Sequence, residues 1–215
     1  MTRILGYSSL VLLAIAAWGM VFIARPDRVQ GDAARIVYFH VPIAWCAFLA
    51  FFVVFIASIA YLRTSDPKWD RLGRASAEVG VIFTTLALIT GAIWGYPIWG
   101  TWWTWDPKLT TTLILWFMYL AYLMVRSYAE PPRGARYAAI LGIVGFVDVP
   151  IVYLSSYWWR TLHPQPVIGP LAEQQPSSSI VWVLLVSLLA FMVLYAFLVR
   201  VRAEVERLST SPAAA

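Results

Sequence analysis

Residues 39–62 read FHVPIAWCAFLAFFVVFIASIAYL, a stretch that contains no Asp, Glu, Lys or Arg. A helix needs roughly 20 apolar residues to cross a hydrocarbon core about 30 Å thick, so this stretch is long enough to span a membrane. The whole chain has the same character: of 215 residues, 61% are apolar and 13% are charged. Soluble proteins average about 25% charged residues. The composition therefore predicts an integral membrane protein.

Six apolar stretches occur along the chain, and each predicts one membrane-spanning helix. They are residues 4–24, 39–62, 75–95, 109–125, 137–157 and 180–199. We therefore predict an all-α integral membrane protein, with residues 1–215 forming a single polytopic domain. The first apolar run is too long for a signal-peptide core and lacks a clear cleavage site, so we expect it to remain as a helix.

Lys and Arg residues near the helix ends predict the orientation in the membrane. Eleven of them lie in one set of segments: Arg3, Arg63, Lys68, Arg71, Arg74, Arg126, Arg133, Arg136, Arg200, Arg202 and Arg207. Five lie in the opposite set: Arg25, Arg28, Arg35, Lys108 and Arg160. Because cytoplasmic segments carry the excess of positive charge, both termini are predicted to be cytoplasmic. The outer face then carries three loops, residues 25–38, 96–108 and 158–179.

The second outer loop contains the sequence WGTWWTWDPKLT, residues 99–110. Gly95, Pro97 and Gly100 argue against one helix running straight through this loop. A short interfacial helix across residues 98–105 would place Trp99, Trp102 and Trp103 on one face, with Trp105 turned away. Such a face suits either stacking on a porphyrin or anchoring in the membrane, and both interpretations stay open.

The chain has two histidines, and the predicted topology places both on the outer face. His40 lies at the start of the second span, close to Pro42, which is tolerated in a first helical turn. His163 lies just beyond the fifth span. Two neutral imidazoles at one depth are able to ligate a metal or the iron of haem, while the alternative for each is a hydrogen bond to backbone or headgroup. Zinc is disfavoured because no outer cysteine is available, and Cys46 is interpreted as a packing residue.

Several charged residues lie near these groups. Asp106 precedes Pro107 in the pattern of an N-cap, so it is interpreted either as the cap of the fourth span or as a functional residue. Arg35, Lys108 and Arg160 are candidates to pair with haem propionates, with headgroup phosphates as the alternative. Asp148 lies in the middle of a span, where an acid is either functional or neutral and hydrogen-bonded.

The motif WGTWWTWDPKLT, with FHVP around His40 and VPIVYLSSYWWRTLHP around His163, resembles the WWD-motif haem-handling proteins of cytochrome c maturation, and specifically the CcmC (haem exporter protein C) family. The resemblance covers essentially the whole chain. It implies that haem b binds transiently at the periplasmic face of the bacterial cytoplasmic (inner) membrane, with His40 and His163 as the axial ligands of its iron. The implied haem platform, in the Trp-rich outer loop and its flanks (94–110), is Trp94, Trp99, Trp102, Trp103, Trp105 and Asp106.

Of the candidate cations, one differs from the residue expected in the family and one matches it. Lys108 stands where the family is expected to have Arg, which keeps the charge but loses the bidentate geometry. Arg35 matches a family arginine position and is the better candidate for a propionate contact.

The resemblance also implies a function and partners. The protein would present haem to the chaperone CcmE, beside the ATP-binding cassette pair CcmA and CcmB and the small protein CcmD. We expect it to hold and orient haem rather than to act as a conventional catalyst, because two imidazoles and a tryptophan surface would act by proximity and orientation. The ATPase would be CcmA, consistent with the lack of an ATPase motif in this sequence. The alternatives are a haem b electron-transfer membrane subunit and a haem-transporting permease component. Membrane lipid is an expected partner and nucleic acid is not, because no basic patch is interleaved with aromatic residues.

Overall fold

The computed structural model describes residues 2–130, 132–165 and 178–209. Within these ranges the chain forms seven α-helices: α1 (Thr2–Trp18), α2 (Val37–Thr64), α3 (Pro67–Trp99), α4 (Pro107–Tyr128), α5 (Arg133–Phe146), α6 (Asp148–Trp158) and α7 (Ser178–Ser209). Six segments are long and apolar enough to cross a membrane, with α5 and α6 together forming the fifth. The predicted all-α architecture with six spans is therefore confirmed. Residues 166–177, in the third predicted outer loop, lie outside the described residues.

The connection from α1 to α2 is more structured than the predicted loop, residues 25–38. A π-helical turn, Gly19–Ile23, extends α1. A 3-10 turn, Asp32–Ile36, leads directly into α2. Because α2 begins at Val37, Pro42 lies inside the helix rather than in its first turn, which corrects the expected position.

The end of α3 differs from the expectation. The helix continues through Gly95 and Pro97 to Trp99 and ends at Gly100, so one helix does not run straight through the loop, as predicted, but the break lies at Gly100 rather than at Gly95 or Pro97. The separate helix across residues 98–105 is wrong, because residues 100–106 are not helical. Gly95 is needed for packing: a Cβ there would lie 2.8 Å from the indole of Trp99, which folds back over the helix. Gly100 ends α3 with a left-handed φ of 71° and donates its N–H to the carbonyl of Tyr96 over 2.9 Å.

Helices α2 and α3 form the centre of the bundle and pack along each other. Helix α7 covers them from one side and also packs on α1, while α4 lies against α3, α5 and α6. In the core, the rings of Phe51 and Tyr119 stack with their centroids 3.7 Å apart. Gly80 lets α2 and α3 approach closely, because a Cβ there would lie 2.7 Å from the Phe51 ring. That the chain forms one polytopic domain stays a prediction.

The two ends of the bundle differ in chemistry. At one end, which we call the charged end, ion pairs connect α3, α4 and α7. Arg126 pairs with Asp70 over 2.6 Å, and Arg74 pairs with Glu78 over 3.2 Å and with Glu206 over 3.3 Å. These partly buried pairs join α3 to α4 and α7, and pairs of this kind are weak evidence for added stability. At the opposite end, the tryptophan end, α3 passes into the segment 99–106.

Candidate functional site

A cavity of about 330 Å³ opens at the tryptophan end. Its volume falls within the range of about 300–1,000 Å³ that is usual for small-molecule sites. Seven of the residues singled out from the sequence line it: His40, Trp94, Trp99, Trp102, Trp103, Lys108 and His163. Trp45 lines it as well, so the cavity brings both histidines of the chain together with five tryptophans and, among the described residues, one cation.

The cavity is long and mostly apolar. Its wall on α3 runs from Thr84 to Trp99, which corresponds to about 22 Å of helix at 1.5 Å per residue. The deeper part is lined by apolar side chains from α2, α3, α4 and α6, among them Phe48, Leu88, Leu115 and Val152. Polar side chains line it as well, among them His40, Lys108 and His163. This arrangement suits a flat, largely apolar molecule that carries charge at one edge.

His40 lies near the start of α2 and faces α3. Its Nδ1 atom is 3.0 Å from the hydroxyl oxygen of Thr90. Gly91 leaves room for the ring, since a Cβ at that position would lie 3.1 Å from the Cε1 atom of His40. The indole of Trp94 meets the imidazole edge to face, with ring centroids 5.7 Å apart. The imidazole is therefore confined by contacts with three residues of α3, at positions 90, 91 and 94.

Trp94 is itself held in place from the loop that follows α1. Its indole N–H donates to the side-chain oxygen of Gln30 over 3.0 Å, and Gln30 also lines the cavity. The first loop thereby fixes the aromatic wall beside His40.

His163 lies in the segment that follows α6 and approaches the cavity from the other side. Its Nδ1 atom is 2.8 Å from the carbonyl oxygen of Pro164. A carbonyl only accepts, so Nδ1 carries the proton and Nε2 carries the free lone pair. Burial, and next the charge of Lys108, lower the pKa of His163 to about 4, against smaller opposing effects from the Pro164 carbonyl and Asp106. The imidazole is therefore neutral at physiological pH, as a metal ligand has to be.

Asp106 does not line the cavity. It instead forms hydrogen bonds to the residues just before His163. Its side chain is 7% exposed. One carboxylate oxygen accepts from the backbone N–H of Lys108 over 3.0 Å, which confirms the expected N-cap of α4. The other accepts from the hydroxyl of Thr161 over 2.5 Å and from the N–H of Leu162 over 2.7 Å. A single carboxylate therefore joins the start of α4 to the residues just before His163.

The three candidate cations have different surroundings. Lys108 lines the cavity. The guanidinium of Arg35 donates to the carbonyls of Met20 and Val21, and it also pairs with Asp32 over 2.8 Å. These bonds hold the 3-10 turn against the end of α1 and lie outside the cavity lining. Arg160 is exposed and does not line the cavity either.

Three further residues singled out from the sequence have clear environments. Trp105 is 76% exposed and meets Trp103 edge to face at 5.7 Å, so it lies at the rim of the tryptophan segment. Cys46 is fully buried in the core, which confirms that it packs. Asp148 is buried at the break between α5 and α6, and one of its carboxylate oxygens has no hydrogen-bond partner within the described ranges.

Sequence reasoning missed Gln30, Thr90, Gly91, Tyr153 and Thr161. Thr90 and Gly91 precede Trp94 by about one helical turn, and this spacing is the only signal that connects them to the aromatic segment. Tyr153 lines the cavity, and its buried hydroxyl has no partner among residues 2–130, 132–165 and 178–209. It is therefore available to donate to a bound molecule.

The residues present fit a haem. The porphyrin supplies four nitrogen ligands to its iron, so one or two protein ligands are sufficient. The Nδ1 atoms of both imidazoles that line the cavity are engaged by a neighbouring oxygen, which leaves Nε2 available to ligate the iron. Elsewhere in the described part of the chain, no three His, Cys, Asp or Glu side chains cluster as they would around a free metal ion.

Comparisons with a family profile and with individual proteins all indicate the same family. The profile of the CcmC family, described as "Heme exporter protein C", matches residues 1–214. The "Heme exporter protein C" of Bradyrhizobium diazoefficiens is 38% identical over 192 residues, which cover 89% of this chain and 73% of that protein. The protein of the same name in Haemophilus influenzae is 37% identical over 210 residues, covering 97% and 85% respectively.

A third relative comes from a plant. The "Putative cytochrome c biosynthesis ccmC-like mitochondrial protein" of Marchantia polymorpha is 38% identical over 152 residues, which cover 71% of this chain and 64% of that protein. The matched segment is thus slightly less than two thirds of the plant protein's length.

Proposed function

The chain belongs to the CcmC family, and from this premise we propose that it binds haem b at the tryptophan end and presents it for covalent loading onto the chaperone CcmE. The observation that carries the proposal is that both histidines of the chain line the same apolar cavity. The two residues are more than a hundred positions apart in sequence, and the fold brings both to one cavity.

His40 and His163 are the proposed axial ligands. Each presents Nε2, because Nδ1 is engaged by Thr90 in one case and by the Pro164 carbonyl in the other. One ligand belongs to a long helix and the other to the segment after α6. This pairing of a rigid ligand with one on a loop suits cargo that has to be released, since movement of the loop breaks one bond without disturbing the bundle.

The tryptophans are the proposed platform. Trp94, Trp99, Trp102 and Trp103 line the cavity and offer broad aromatic surface to a porphyrin. Trp105 and the exposed pair Trp158 and Trp159 lie around them at the same end. We assign these outer rings to the rim, and Asp106 to the support of the platform rather than to direct contact.

Lys108 is the best-placed partner for a haem propionate, because it is the candidate cation that lines the cavity. Its ammonium is a point charge that tolerates movement of the carboxylate better than the fork of an arginine does. Arg35 and Arg160 remain candidates for the second propionate only if the segments that carry them rearrange when haem binds.

The haem supplies the vinyl group that becomes bonded to the chaperone. This chain's residues hold the porphyrin flat, fix its rotation and expose one edge, so they act through proximity and orientation. We place the site on the periplasmic side of the bacterial inner membrane, since the charged end carries the larger share of the cations. We further propose that the protein works in a CcmABCD complex, whose ATPase would drive release.

The test is haem transfer between purified proteins. The haem-loaded protein is mixed with apo-CcmE, and the products are separated under denaturing conditions and stained for covalently bound haem. The proposal expects a haem–CcmE adduct that is lost when His163 is replaced by Ala. Haem that stays on this chain, with no adduct in the presence of the complete complex, would instead favour an electron-transfer subunit.

A further inference from the structure

The hydroxyl of Thr90 faces His40 as an acceptor. It has a single hydrogen, which it donates to the carbonyl of Leu86, one helical turn earlier on α3, over 2.7 Å, with the carbonyl of Ala87 as a second, longer acceptor at 3.3 Å. The Nδ1 atom of His40 lies 3.0 Å from the same hydroxyl oxygen. Because the hydroxyl hydrogen is already engaged, the oxygen can only receive a proton from the imidazole. Nδ1 therefore carries the proton and Nε2 carries the lone pair.

Gly91 makes this hydrogen bond possible. A Cβ at position 91 would lie 3.1 Å from Cε1 and 3.7 Å from Nδ1 of His40. A side chain there would push the imidazole away from α3 and lengthen its bond to Thr90. The indole of Trp94 also contacts the imidazole, with the two ring planes inclined at 70°. The neighbours of His40 on α3 thus define both its position and its tautomer.

We propose that Thr90 is a positioning residue that fixes His40 in the Nδ1–H tautomer and thereby makes Nε2 the ligand of the haem iron. This inference rests on the proposed function, because it assigns a role toward haem. A hydrogen bond at the remote nitrogen fixes the rotation of a ligating imidazole and makes it a stronger donor. His163 receives the equivalent support from the Pro164 carbonyl. The Nδ1 atom of each proposed ligand is therefore held by a hydrogen bond, to a side chain for His40 and to a backbone carbonyl for His163.

The first test needs no haem. The protein is labelled with ¹⁵N-histidine in a His163→Ala background, so that the remaining histidine signal belongs to His40. Long-range ¹H–¹⁵N spectra at neutral pH then report which ring nitrogen is protonated. The parent is expected to have a protonated Nδ1, and Thr90→Ser is expected to match it. Thr90→Val keeps the shape but loses the acceptor, so the population shifts toward the Nε2–H tautomer.

A matched control removes an equivalent hydroxyl that has no histidine beside it. Thr111 on α4 donates to the carbonyl of Pro107 over 2.8 Å, with the same helical spacing as Thr90 and Leu86. Thr111→Val is therefore expected to leave the His40 spectrum unchanged. It also controls for the general effect of replacing a helical threonine with valine.

The second test measures haem affinity in the chain with both histidines, by titration of the Soret band. Loss of a support to a ligating histidine typically costs at least about tenfold in affinity, and we expect a loss of this size for Thr90→Val, with Thr90→Ser and Thr111→Val close to the parent. A Thr90→Val protein with the parental tautomer and affinity would overturn the inference and leave the proposed function standing. A parent that binds no haem but has a protonated Nδ1 would overturn the proposed function and leave the tautomer assignment standing.

Discussion

The carboxylate of Asp106 accepts a hydrogen bond of 2.5 Å from the hydroxyl of Thr161. The same side chain caps α4, and Thr161 in turn accepts from the backbone N–H of His163 over 3.1 Å. A continuous chain of hydrogen bonds therefore leads from the start of α4 to one of the two proposed ligands. Asp106 of the tryptophan segment is therefore connected to His163 through the hydroxyl of Thr161.

Removal of the Thr161 hydroxyl is expected to loosen this connection without removing the helix cap. A hydrogen bond to a charged group contributes about 1.5–3 kcal/mol, so Thr161→Val should weaken haem binding by about tenfold or more. Affinity is measured by Soret titration. Thr64→Val is the control, because Thr64 lies at the charged end and bonds to the carbonyl of Ala60. Equal affinity in the two variants would show that the Asp106–Thr161 bond does not position His163.

Gly91→Ala is expected to lower haem affinity without lowering stability. Alanine favours a helix over glycine by about 1 kcal/mol, so the melting temperature should stay level or rise. The added methyl would lie 3.1 Å from His40, so the imidazole has to move and the haem affinity should fall. Gly19→Ala is the matched control, since its methyl would meet Val183 at an ordinary 3.5 Å. Unchanged affinity in Gly91→Ala would contradict the close fit of His40 against α3.

Lys108 is expected to contribute to haem binding through its positive charge rather than through the shape of its side chain. Lys108→Gln should weaken haem binding by about tenfold, the effect of losing one hydrogen bond to a charged group. Lys108→Arg should retain most of the affinity. Arg28→Gln serves as the control, because Arg28 is an exposed cation of the first loop. If Lys108→Gln binds haem as the parent does, the propionates are held by other groups.

The low pKa of His163 predicts an unusual pH range for haem retention. An unperturbed histidine titrates at about 6.5, whereas burial lowers the pKa of His163 to about 4. Protonation removes the ligating lone pair, so ligation by His163 persists while pH falls through 6.5 and fails only as pH approaches 4. The measurement is a Soret titration of His40→Ala, in which His163 is the remaining histidine. Iron competes with the proton and can only move the midpoint lower, so a loss of haem centred near pH 6.5 would contradict the environment assigned to His163.

The spans and the shared end of the two histidines were predictable from the sequence because each depends on local composition. A run such as residues 39–62 has one stable arrangement in a membrane, since every backbone polar group has to be satisfied within the segment. Helix ends were less predictable. Pro97 lies only two residues before the end of α3, where the hydrogen bond that it removes is of little consequence, and the helix therefore continues past it.

The supporting residues were not predictable, because their roles depend on contacts that are distant in sequence. Thr90 is an ordinary helical threonine until α2 places His40 beside it, fifty positions away. Thr161 is an unremarkable loop residue until α4 presents Asp106 to it. The alternatives for Asp106, a cap or a functional residue, could not be separated by sequence because the carboxylate has two oxygens and uses them for two tasks.

The central claim is that His40 and His163 bind the same haem, and the most direct measurement is the absorption spectrum of the purified protein with each histidine replaced by alanine, singly and together. The account predicts a six-coordinate spectrum in the parent, a shifted and weaker Soret band in each single variant, and no bound haem in the double variant. A double variant that purifies with the parental haem content and spectrum would contradict the account.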